Sequence, residues 1–543
     1  MKKLLLAVFL ILLSLTVLFA CGEQDNGNIK DAIELTEDLS GWFDYGSALY
    51  HRDEFTAYEN DSFAISMAKN EKEGFQYILA STQNYDDLRC EVSTLTDGNG
   101  NSLEGTVYVA WNVYIKKADF NHLRGYTPDA LLEQDNPYQG GTFDVVANRS
   151  KTLYVQYVTT KDTVPGTYTG KLEIKQGDSV LLEGDVSVTV WNIYYDEKTE
   201  CLSLYQYGYD PNDAGAGGAG PANAPDFTNN WELSQQYVDF MLDNRLSPWH
   251  LPFEGGVLSE LAPKYMDNPR LTLTYITDLP NPGLQYEKAV ETGWIDKLVV
   301  MTYDEPNMEE HVQKIEYNAH MFNRSFPTTM HLNPFGDVKL LKHMDWLERF
   351  TAVTSIHCPN SHYFREEYNA VNEYLYNLQS EKGDTLLWYV CGWELEGLIN
   401  LLPCSPGTEK RVLFWQQYEN NIEGFLYFQT TRWNRFDDIW EEGYEDKRHK
   451  PAASLDGPTG DGLLIYWDPI TDAPVGGLGM ESVRDGMEDF QLMRMAEAVL
   501  GKDAVMAYVH RITTSVTEFT SDAELLNQVK CELAEALLSA TAQ

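Results

Sequence analysis

The spacing of apolar residues divides the chain into regions with different secondary structure. From residue 31 to 195, short runs of alternating apolar and polar residues, such as Val186–Trp191, are separated by turn residues. Alternation with a period of two is typical of strands that bury one face. The regular spacing of these runs predicts an antiparallel β-sandwich over residues 31–195.

From residue 196 to 480, apolar strands alternate with longer helical stretches. Lys297–Tyr303 has the composition of a buried strand, and Trp231–Asn244 carries apolar residues at helical spacing. This alternation predicts a (β/α)8-like TIM barrel. Residues 481–543 are expected to form a C-terminal helical segment packed on the barrel, in which Gly501 ends a helix that includes Met487. The predicted fold class is therefore multidomain α/β.

The first 30 residues have the pattern of an export signal. Two lysines precede an apolar run that ends at Ala20, and Cys21 follows it directly. This arrangement resembles the lipobox of bacterial lipoproteins, in which the cysteine becomes the lipidated N-terminus. An ordinary signal peptide with a chance cysteine is the alternative. We expect a signal peptide over residues 1–20, a lipidated tether over 21–30, and anchoring to the outer face of a bacterial membrane at the cell surface.

The charge of the chain restricts its partners. There are 40 basic and 83 acidic residues, and the net charge is −43. Such a surface repels phosphate backbones, so nucleic acid is not expected as a partner. No second apolar run has the length that a membrane span requires, and the lipid is therefore the expected contact with a membrane.

The sequence gives no sign of a metal or a cofactor. The six cysteines after Cys21 are scattered and the histidines lack metal-ligand spacing, so isolated thiols are favoured, although a disulfide between Cys391 and Cys404 stays open. Gly215–Gly220 matches the G-x-G-x-x-G pattern of dinucleotide sites. The prolines that follow obstruct the helix that such a site needs, so a loop over the barrel mouth is favoured.

The strongest candidate for chemistry is the end of the strand Lys297–Tyr303. Asp304 and Glu305 follow this strand directly, and Pro306 interrupts it. In barrels, the carboxyl ends of the strands carry the active site. Two neighbouring carboxylates with unequal pKa values suit one acid and one charge stabiliser. The alternative is that the pair caps a helix beginning at Met308, because acidic residues favour helix N-termini.

Aromatic and amide side chains follow later predicted strands. Trp388–Trp393 ends one of them, and Gly424–Asn434 ends another. Aromatic rings at these positions suit stacking on the faces of sugars, and amides suit hydrogen bonds to hydroxyl groups. The alternative is that some of these rings only fill the rim of the barrel. The pattern favours a glycan or glycoconjugate as the substrate.

Several motifs together resemble glycoside hydrolase family 123, the β-N-acetylgalactosaminidases, and related uncharacterised proteins that share the catalytic segment. The similarity covers most of the chain after the signal peptide. The motifs are Asn70–Gln76, Val164–Gly170, Tyr303–Pro306, Trp388–Cys391, Arg411–Trp415, Gly424–Tyr427, Trp433–Asn434, Asp461–Tyr466 and Ser482–Asp489.

The resemblance implies a retaining exo-β-N-acetylhexosaminidase, with β-GalNAc favoured, that needs no metal or cofactor. In such enzymes the 2-acetamido group of the substrate is the nucleophile and forms an oxazoline, an exception to the usual carboxylate pair. Asp304 would orient and polarise the acetamide, and Glu305 would be the general acid and then the base. The candidate substrate-binding residues are Tyr303, Trp388, Tyr389, Trp393, Asn400, Tyr427, Trp433 and Asn434, of which Asn400, Tyr427, Trp433 and Asn434 come from the resemblance.

Two departures from the family pattern leave the sugar open. Trp393–Asn400 stands where a Gly-Pro-Tyr-like stretch is frequent, and Phe428–Gln429 stands where a tryptophan is common. A glycosidase with another sugar specificity on the same scaffold is therefore one alternative. A non-catalytic, glycan-binding surface lipoprotein is the other, but the intact Asp304–Glu305 pair argues against it.

Overall fold

The computed structural model describes residues 31–119, 122–208, 224–276, 280–392, 396–433, 439–440 and 459–542. The predicted signal peptide 1–20, the tether 21–30 with Cys21, the glycine run 215–220, Trp393 and Asn434 lie outside these ranges. None of the helices in the described ranges is both long enough and apolar enough to span a membrane.

The described N-terminal region consists of β-strands. They are β1 Asp31–Ile33, β2 Ser40–Tyr45, β3 Ala57–Glu59, β4 Ser62–Lys69, β5 Lys72–Ala80, β6 Tyr85–Val92, β7 Leu95–Thr96, β8 Ser102–Leu103, β9 Gly105–Ile115, β10 Gly125–Glu133, β11 Phe143–Val145, β12 Lys151–Val158, β13 Gly166–Gln176 and β14 Ser179–Tyr194. One sheet has the order β10-β9-β12-β5-β2 and the other β11-β6-β13-β14-β4, with β7 and β8 attached to the second.

Both large sheets contribute to one apolar core. Phe43 from the first sheet and Phe63 from the second stack at 5.8 Å, and both belong to the same buried cluster. The strand pairs are antiparallel, as the alternation predicts, except that β14 and β4 are parallel. The alternation cannot reveal this exception, because it identifies the buried face of a strand and not its neighbour.

The central region contains a parallel sheet of seven strands. They are β15 Leu202–Tyr205, β16 Thr274–Tyr275, β17 Leu298–Met301, β18 Met330–Phe335, β19 Ile356–Pro359, β20 Thr385–Tyr389 and β21 Gly424–Tyr427, in the order β15-β21-β20-β19-β18-β17-β16. The Tyr205 N–H donates to Ser247 O at 2.8 Å, and the Tyr275 N–H donates to Trp249 O at 2.6 Å. The segment 247–249 thus bridges the two edge strands. The sheet is a nearly closed barrel of seven strands, where the sequence predicts eight.

Helices surround the barrel and complete the C-terminal region. They are α1 Trp231–Asp243, α2 Ala262–Met266, α3 Pro282–Thr292, α4 Glu309–Phe322, α5 Met344–Thr351, α6 Asn369–Asn377, α7 Gly407–Glu419, α8 Leu478–Leu500, α9 Lys502–Val509 and α10 Ala523–Thr541. Two strand pairs, β22 Ile465–Trp467 with β23 Pro474–Gly476 and β24 Thr513–Ser515 with β25 Glu518–Phe519, lie among them. The predicted C-terminal segment is therefore helical but interrupted by a hairpin, and α8 begins before residue 481.

A buried ionic cluster joins the N-terminal region to the helices. Lys530 Nζ of α10 lies 2.7 Å from Glu71 Oε1 and 2.6 Å from Glu73 Oε2, both at the start of β5. Arg411 of α7 contacts Glu73 at 3.1 Å and Asp489 of α8 at 2.6 Å. All five side chains are at most 5% exposed. Residues from three of the family-like motifs therefore meet in this buried cluster, which fixes β5, α7, α8 and α10 against each other.

Candidate active site

Asp304 and Glu305 follow β17 at the carboxyl end of the barrel, and both are exposed to solvent. Glu305 has a φ of 45°, in the left-handed region that residues other than glycine rarely adopt. Its N–H donates to Pro334 O of β18 at 3.2 Å. Helix α4 begins only at Glu309, and Met308 is its N-cap without a side-chain capping bond. The capping alternative for the pair is therefore wrong.

Tyr389 at the end of β20 contacts Glu305 directly. Its hydroxyl group donates a short hydrogen bond to Glu305 Oε1. Burial, followed by the negative charge of Glu305, raises the pKa of Tyr389 well above its usual value of 10. The phenol therefore stays protonated and acts as a donor. The predicted substrate-binding residue Tyr389 holds a carboxylate of the candidate pair.

Gly336, which the sequence analysis does not identify, provides the space for this contact. A Cβ atom at Gly336 would lie 2.5 Å from Tyr389 Oη and 3.2 Å from Glu305 Oε1. The first distance is shorter than side-chain contacts allow. Glycine is therefore needed here because two other residues approach the backbone closely. In the sequence, the only indication of this function is the position of Gly336 directly after an apolar strand.

Glu305 affects the protonation of its neighbour. Although Asp304 is exposed at the mouth of the barrel, the protein atoms around its carboxyl group reduce its solvation, and this effect, together with the negative charge of Glu305, raises the pKa of Asp304 to about 6. Cys358 of β19 lies nearby: burial and the charge of Asp304 raise the pKa of its thiol well above 9. The Asp304 carboxyl group is therefore half protonated at about pH 6.

Two aromatic residues that the sequence analysis misses face the barrel interior. Trp249 and Tyr275 pack on the apolar cluster inside the barrel, and their rings lie 5.0 Å apart. Both are partly exposed. Tyr275 ends the strand before β17, so the strand pattern could have identified it. Trp249 lies in the segment 247–249, which has no strand pattern of its own.

The structure places Trp388 and Tyr303 outside the barrel interior. Trp388 is fully buried, and its Nε1 donates to Gln417 Oε1 of α7 at 3.1 Å. The ring of Tyr303 packs on His311 of α4 at 4.5 Å. Successive residues of a strand point to opposite faces, so Trp388 and Tyr389 cannot both face the interior. The two side chains therefore cannot both bind a substrate inside the barrel, although the sequence analysis predicts that both bind it.

Three further candidates are fully buried and bonded to backbone groups. The hydrogen bonds are Asn400 Nδ2 to Gly392 O at 2.9 Å, Gly462 N to Tyr427 Oη at 3.1 Å and Trp433 Nε1 to Ile465 O at 2.8 Å. These side chains fix the loops that follow β20 and β21. The structure does not bring them to the carboxylate pair.

Asp461 connects the same two loops. It accepts a hydrogen bond from the Gly392 N–H at 2.9 Å and one from Arg432 Nη1 at 2.7 Å. Asp461 and Arg432 are both less than 10% exposed. The family-like motif at Asp461–Tyr466 therefore supports the rim of the barrel.

One group of described residues has the side chains of a metal site. Ligand atoms of Asp119, His122 and Cys404 lie within 4.8 Å of one another. Burial lowers the pKa of His122, but hydrogen bonds to Asp119 and Glu409 outweigh it and raise the pKa to about 9. The imidazole is therefore protonated at neutral pH and pairs with Asp119 and Glu409. All six cysteines in the described ranges are free thiols.

A family model matches the part of the chain that contains the candidate site: residues 285–496 match the model of the glycoside hydrolase 123 catalytic domain. A family 123 glycoside hydrolase from Clostridium perfringens superimposes with a TM-score of 0.62 and 11% identity, covering 93% of this chain and 98% of that chain. A family 39 glycoside hydrolase from Bacteroides cellulosilyticus WH2 has a TM-score of 0.29 and 11% identity, with 74% and 80% covered. None of the curated proteins compared with the chain matches it.

Proposed function

We propose that the protein is a retaining exo-β-N-acetylhexosaminidase, with β-GalNAc as the favoured sugar, because residues 285–496 match the model of the glycoside hydrolase 123 catalytic domain. The observation that carries this proposal is the adjacency of Asp304 and Glu305 at the end of one barrel strand, with a pKa of about 6 for Asp304. The substrate is a glycan or glycoconjugate with a terminal 2-acetamido sugar.

In the first step, Glu305 donates its proton to the glycosidic oxygen while the acetamide oxygen attacks the anomeric carbon. The bond between that carbon and the leaving oxygen breaks, and an oxazoline forms. Asp304 accepts a hydrogen bond from the acetamide N–H and stabilises the positive charge that develops there. In the second step, Glu305 takes a proton from water, whose oxygen attacks the anomeric carbon and opens the oxazoline with retention of configuration.

The adjacency of the pair supports this mechanism over a conventional one. A retaining pair with a carboxylate nucleophile stands about 5–5.5 Å apart on opposite faces of the scissile bond. Asp304 and Glu305 are neighbours in the chain and therefore suit two functions on one side of the sugar. Bound substrate also favours the charged form of Asp304, because the acetamide N–H donates a hydrogen bond to that carboxylate.

Hydrolysis of chromogenic β-GalNAc, β-GlcNAc and β-galactoside tests the proposal. Turnover of the acetamido sugars alone is the expected result. Comparable turnover of the β-galactoside would indicate another glycosidase specificity. Binding of the sugars without turnover would indicate a glycan-binding lipoprotein. Glu305→Gln should lose about 10²- to 10⁴-fold on substrates with poor leaving groups and much less on activated aryl glycosides, because the latter need little acid assistance.

We further propose that Cys21 is lipidated and anchors the enzyme at the cell surface. The support is the sequence pattern, since Cys21 lies outside the described residues. A diacylglycerol group carries two acyl chains, which suffices for stable anchoring where one chain does not. Cys21→Ala should leave the protein uncleaved or released from the membrane; normal processing and anchoring of this variant would contradict the proposal.

A further inference from the structure

A second cleft lies on the N-terminal region. It has a volume of about 430 Å³, and its lining includes Trp111, Asn112, Tyr138, Gln139, Arg149 and Lys151. None of these residues belongs to the barrel strands that carry Asp304 and Glu305. The cleft is therefore separate from the candidate active site in the sequence and in the fold.

An aromatic surface forms part of the cleft. The rings of Trp111 and Tyr138 lie 5.5 Å apart, and Trp440 packs edge-on against both, at 5.7 and 6.1 Å. Trp111 Nε1 donates to Gln139 Oε1 at 2.8 Å, and Gln139 Nε2 donates to Thr142 O at 2.7 Å. Tyr138 nevertheless remains 39% exposed. The rings are thus held in place from behind, and an aromatic face held in this way suits a sugar ring.

The charged groups around the aromatic surface balance each other. Arg149 Nε lies 3.3 Å from Asp53, and Arg52 donates to the same carboxylate at 2.8 Å. Lys151 also lines the cleft, but so do the carboxylates Asp87 and Asp144. The three cations of the lining are therefore matched by its two carboxylates and by Asp53, which lies beside the lining and pairs with both arginines. Donors and acceptors next to an aromatic face, without a net charge, suit an uncharged ligand with many hydroxyl groups.

Arg149 offers donors to such a ligand. Its side chain is 41% exposed, and its contact with Asp53 uses Nε. A guanidinium group has five N–H donors in a fixed plane, so its two terminal nitrogens can donate to neighbouring hydroxyl groups. Asn112 adds an amide to the lining.

The cleft is connected to the barrel through tryptophans. Trp440, which follows β21 in the chain, packs on Trp467 at 6.0 Å, and Trp467 packs on Trp433 at 4.7 Å. Asn136, two residues before Tyr138, donates to Asp468 at 2.5 Å. The aromatic rings behind the cleft are therefore in contact with Trp433, which follows the carboxyl end of β21, the end at which the candidate active site lies.

We propose that this cleft is a second sugar-binding site, which holds an uncharged pyranose residue of the glycan away from the residue that is cleaved. The proposal rests on the proposed function, because it takes the ligand to be part of a glycan. The face of the pyranose stacks on Tyr138 and Trp111, and Arg149 donates hydrogen bonds to its hydroxyl groups. The site binds and takes no part in bond cleavage.

Isothermal titration of the full chain carrying Glu305→Gln tests this site without hydrolysis of the probe. The probe is a neutral tetrasaccharide of β-linked N-acetylhexosamines, with free N-acetylgalactosamine as the monosaccharide comparison. Tyr138→Ala should weaken tetrasaccharide binding roughly tenfold, as the loss of an aromatic anchor does. Tyr138→Phe should keep Kd within about twofold of the starting protein, because it keeps the ring.

Tyr317→Ala is the matched control. Tyr317 lies on α4, is 63% exposed and does not line the cleft, so its removal should leave Kd unchanged. Unchanged tetrasaccharide binding by Tyr138→Ala would overturn the proposal, and so would a sulfated tetrasaccharide that binds far more tightly than the neutral one. Because the measurement is of binding and not of turnover, a parent protein without hydrolase activity would refute the proposed function and leave this result intact.

Discussion

Tyr389 at the end of β20 donates its hydroxyl hydrogen to Glu305, which follows β17. Strands β18 and β19 lie between these two strands in the sheet, so the bond spans the mouth of the barrel. Gly336, at the end of β18, lacks the side chain that would block it. The orientation of the candidate acid thus depends on three barrel strands.

Replacement of Gly336 by alanine should disable the enzyme without unfolding it. The new Cβ would lie 2.5 Å from Tyr389 Oη and would displace the tyrosine or Glu305. A displacement of about 1 Å can cost roughly 10²-fold in rate, so we expect a loss of that order in kcat/KM. Initial rates on aryl β-GalNAc measure the loss, and far-UV circular dichroism checks the fold.

Gly283→Ala serves as the matched control for this variant. Gly283 lies in α3, and no atom lies within 4 Å of the position its Cβ would take. Its activity should equal that of the parent. If Gly336→Ala were as active as Gly283→Ala, the contact between Tyr389 and Glu305 would be irrelevant to catalysis.

Tyr389→Phe should lower kcat/KM by about tenfold, since a hydrogen bond to a charged group contributes about 1.5–3 kcal/mol and the ring remains in place. An unchanged kcat/KM would show that this hydrogen bond does not contribute to catalysis. Tyr418→Phe is the control, because Tyr418 also donates to a glutamate, Glu497 at 3.1 Å, outside the site.

The pH dependence of kcat/KM should follow the ionisation of Asp304. The pKa of Asp304 is about 6, and its charged form is the one that stabilises the acetamide, so activity should fall as the pH drops below about 6. Asp304→Asn has no carboxyl group to titrate, so the limb near pH 6 should be absent from the profile of its residual activity. A flat profile between pH 5 and 8 for the parent would contradict the assignment.

Lys530→Met should destabilise the fold by about 3–5 kcal/mol at neutral pH, because it leaves Glu71 and Glu73 buried without their shared partner. Burial already raises the pKa of Glu71 to about 7. A carboxyl group whose pKa is higher in the folded state than in the unfolded state destabilises the fold more as pH rises. The loss of stability caused by Lys530→Met should therefore be larger at pH 8 than at pH 5. Urea unfolding at both pH values measures it.

Lys264→Met is the control for the buried cluster. Lys264 pairs with Asp239 at 2.8 Å, and both side chains are about half exposed. Surface pairs of this kind contribute at most about 1 kcal/mol. Equal losses from the two variants would show that the buried position of Lys530 has no special importance for stability.

The sequence predicts the elements near the site well where the pattern is strong. The strand expected over Lys297–Tyr303 is observed as Leu298–Met301, and the helix expected over Trp231–Asn244 is Trp231–Asp243. The position of Asp304 and Glu305 at the carboxyl end of a barrel strand followed from these patterns. Apolar runs bounded by turn residues carry this information locally.

The lining of the barrel could not be predicted in the same way. The apolar pattern does not distinguish Tyr389, which faces inward, from Trp388, which packs on Gln417 of α7. The two residues are alike in the pattern because both faces of a barrel strand are buried. Trp249 and Gly336 reach the mouth through contacts between distant segments. Such contacts depend on the closed sheet, which no single stretch of sequence specifies.

The central claim is that the acetamide of the substrate, and no carboxylate of the protein, bonds to the anomeric carbon. The most direct measurement is the rate of hydrolysis of aryl β-GalNAc substrates whose N-acetyl group carries zero, one, two or three fluorine atoms. Each fluorine weakens the acetamide oxygen as a nucleophile, so the account predicts that kcat/KM falls steeply and progressively along the series. Rates that do not change with fluorination would contradict it.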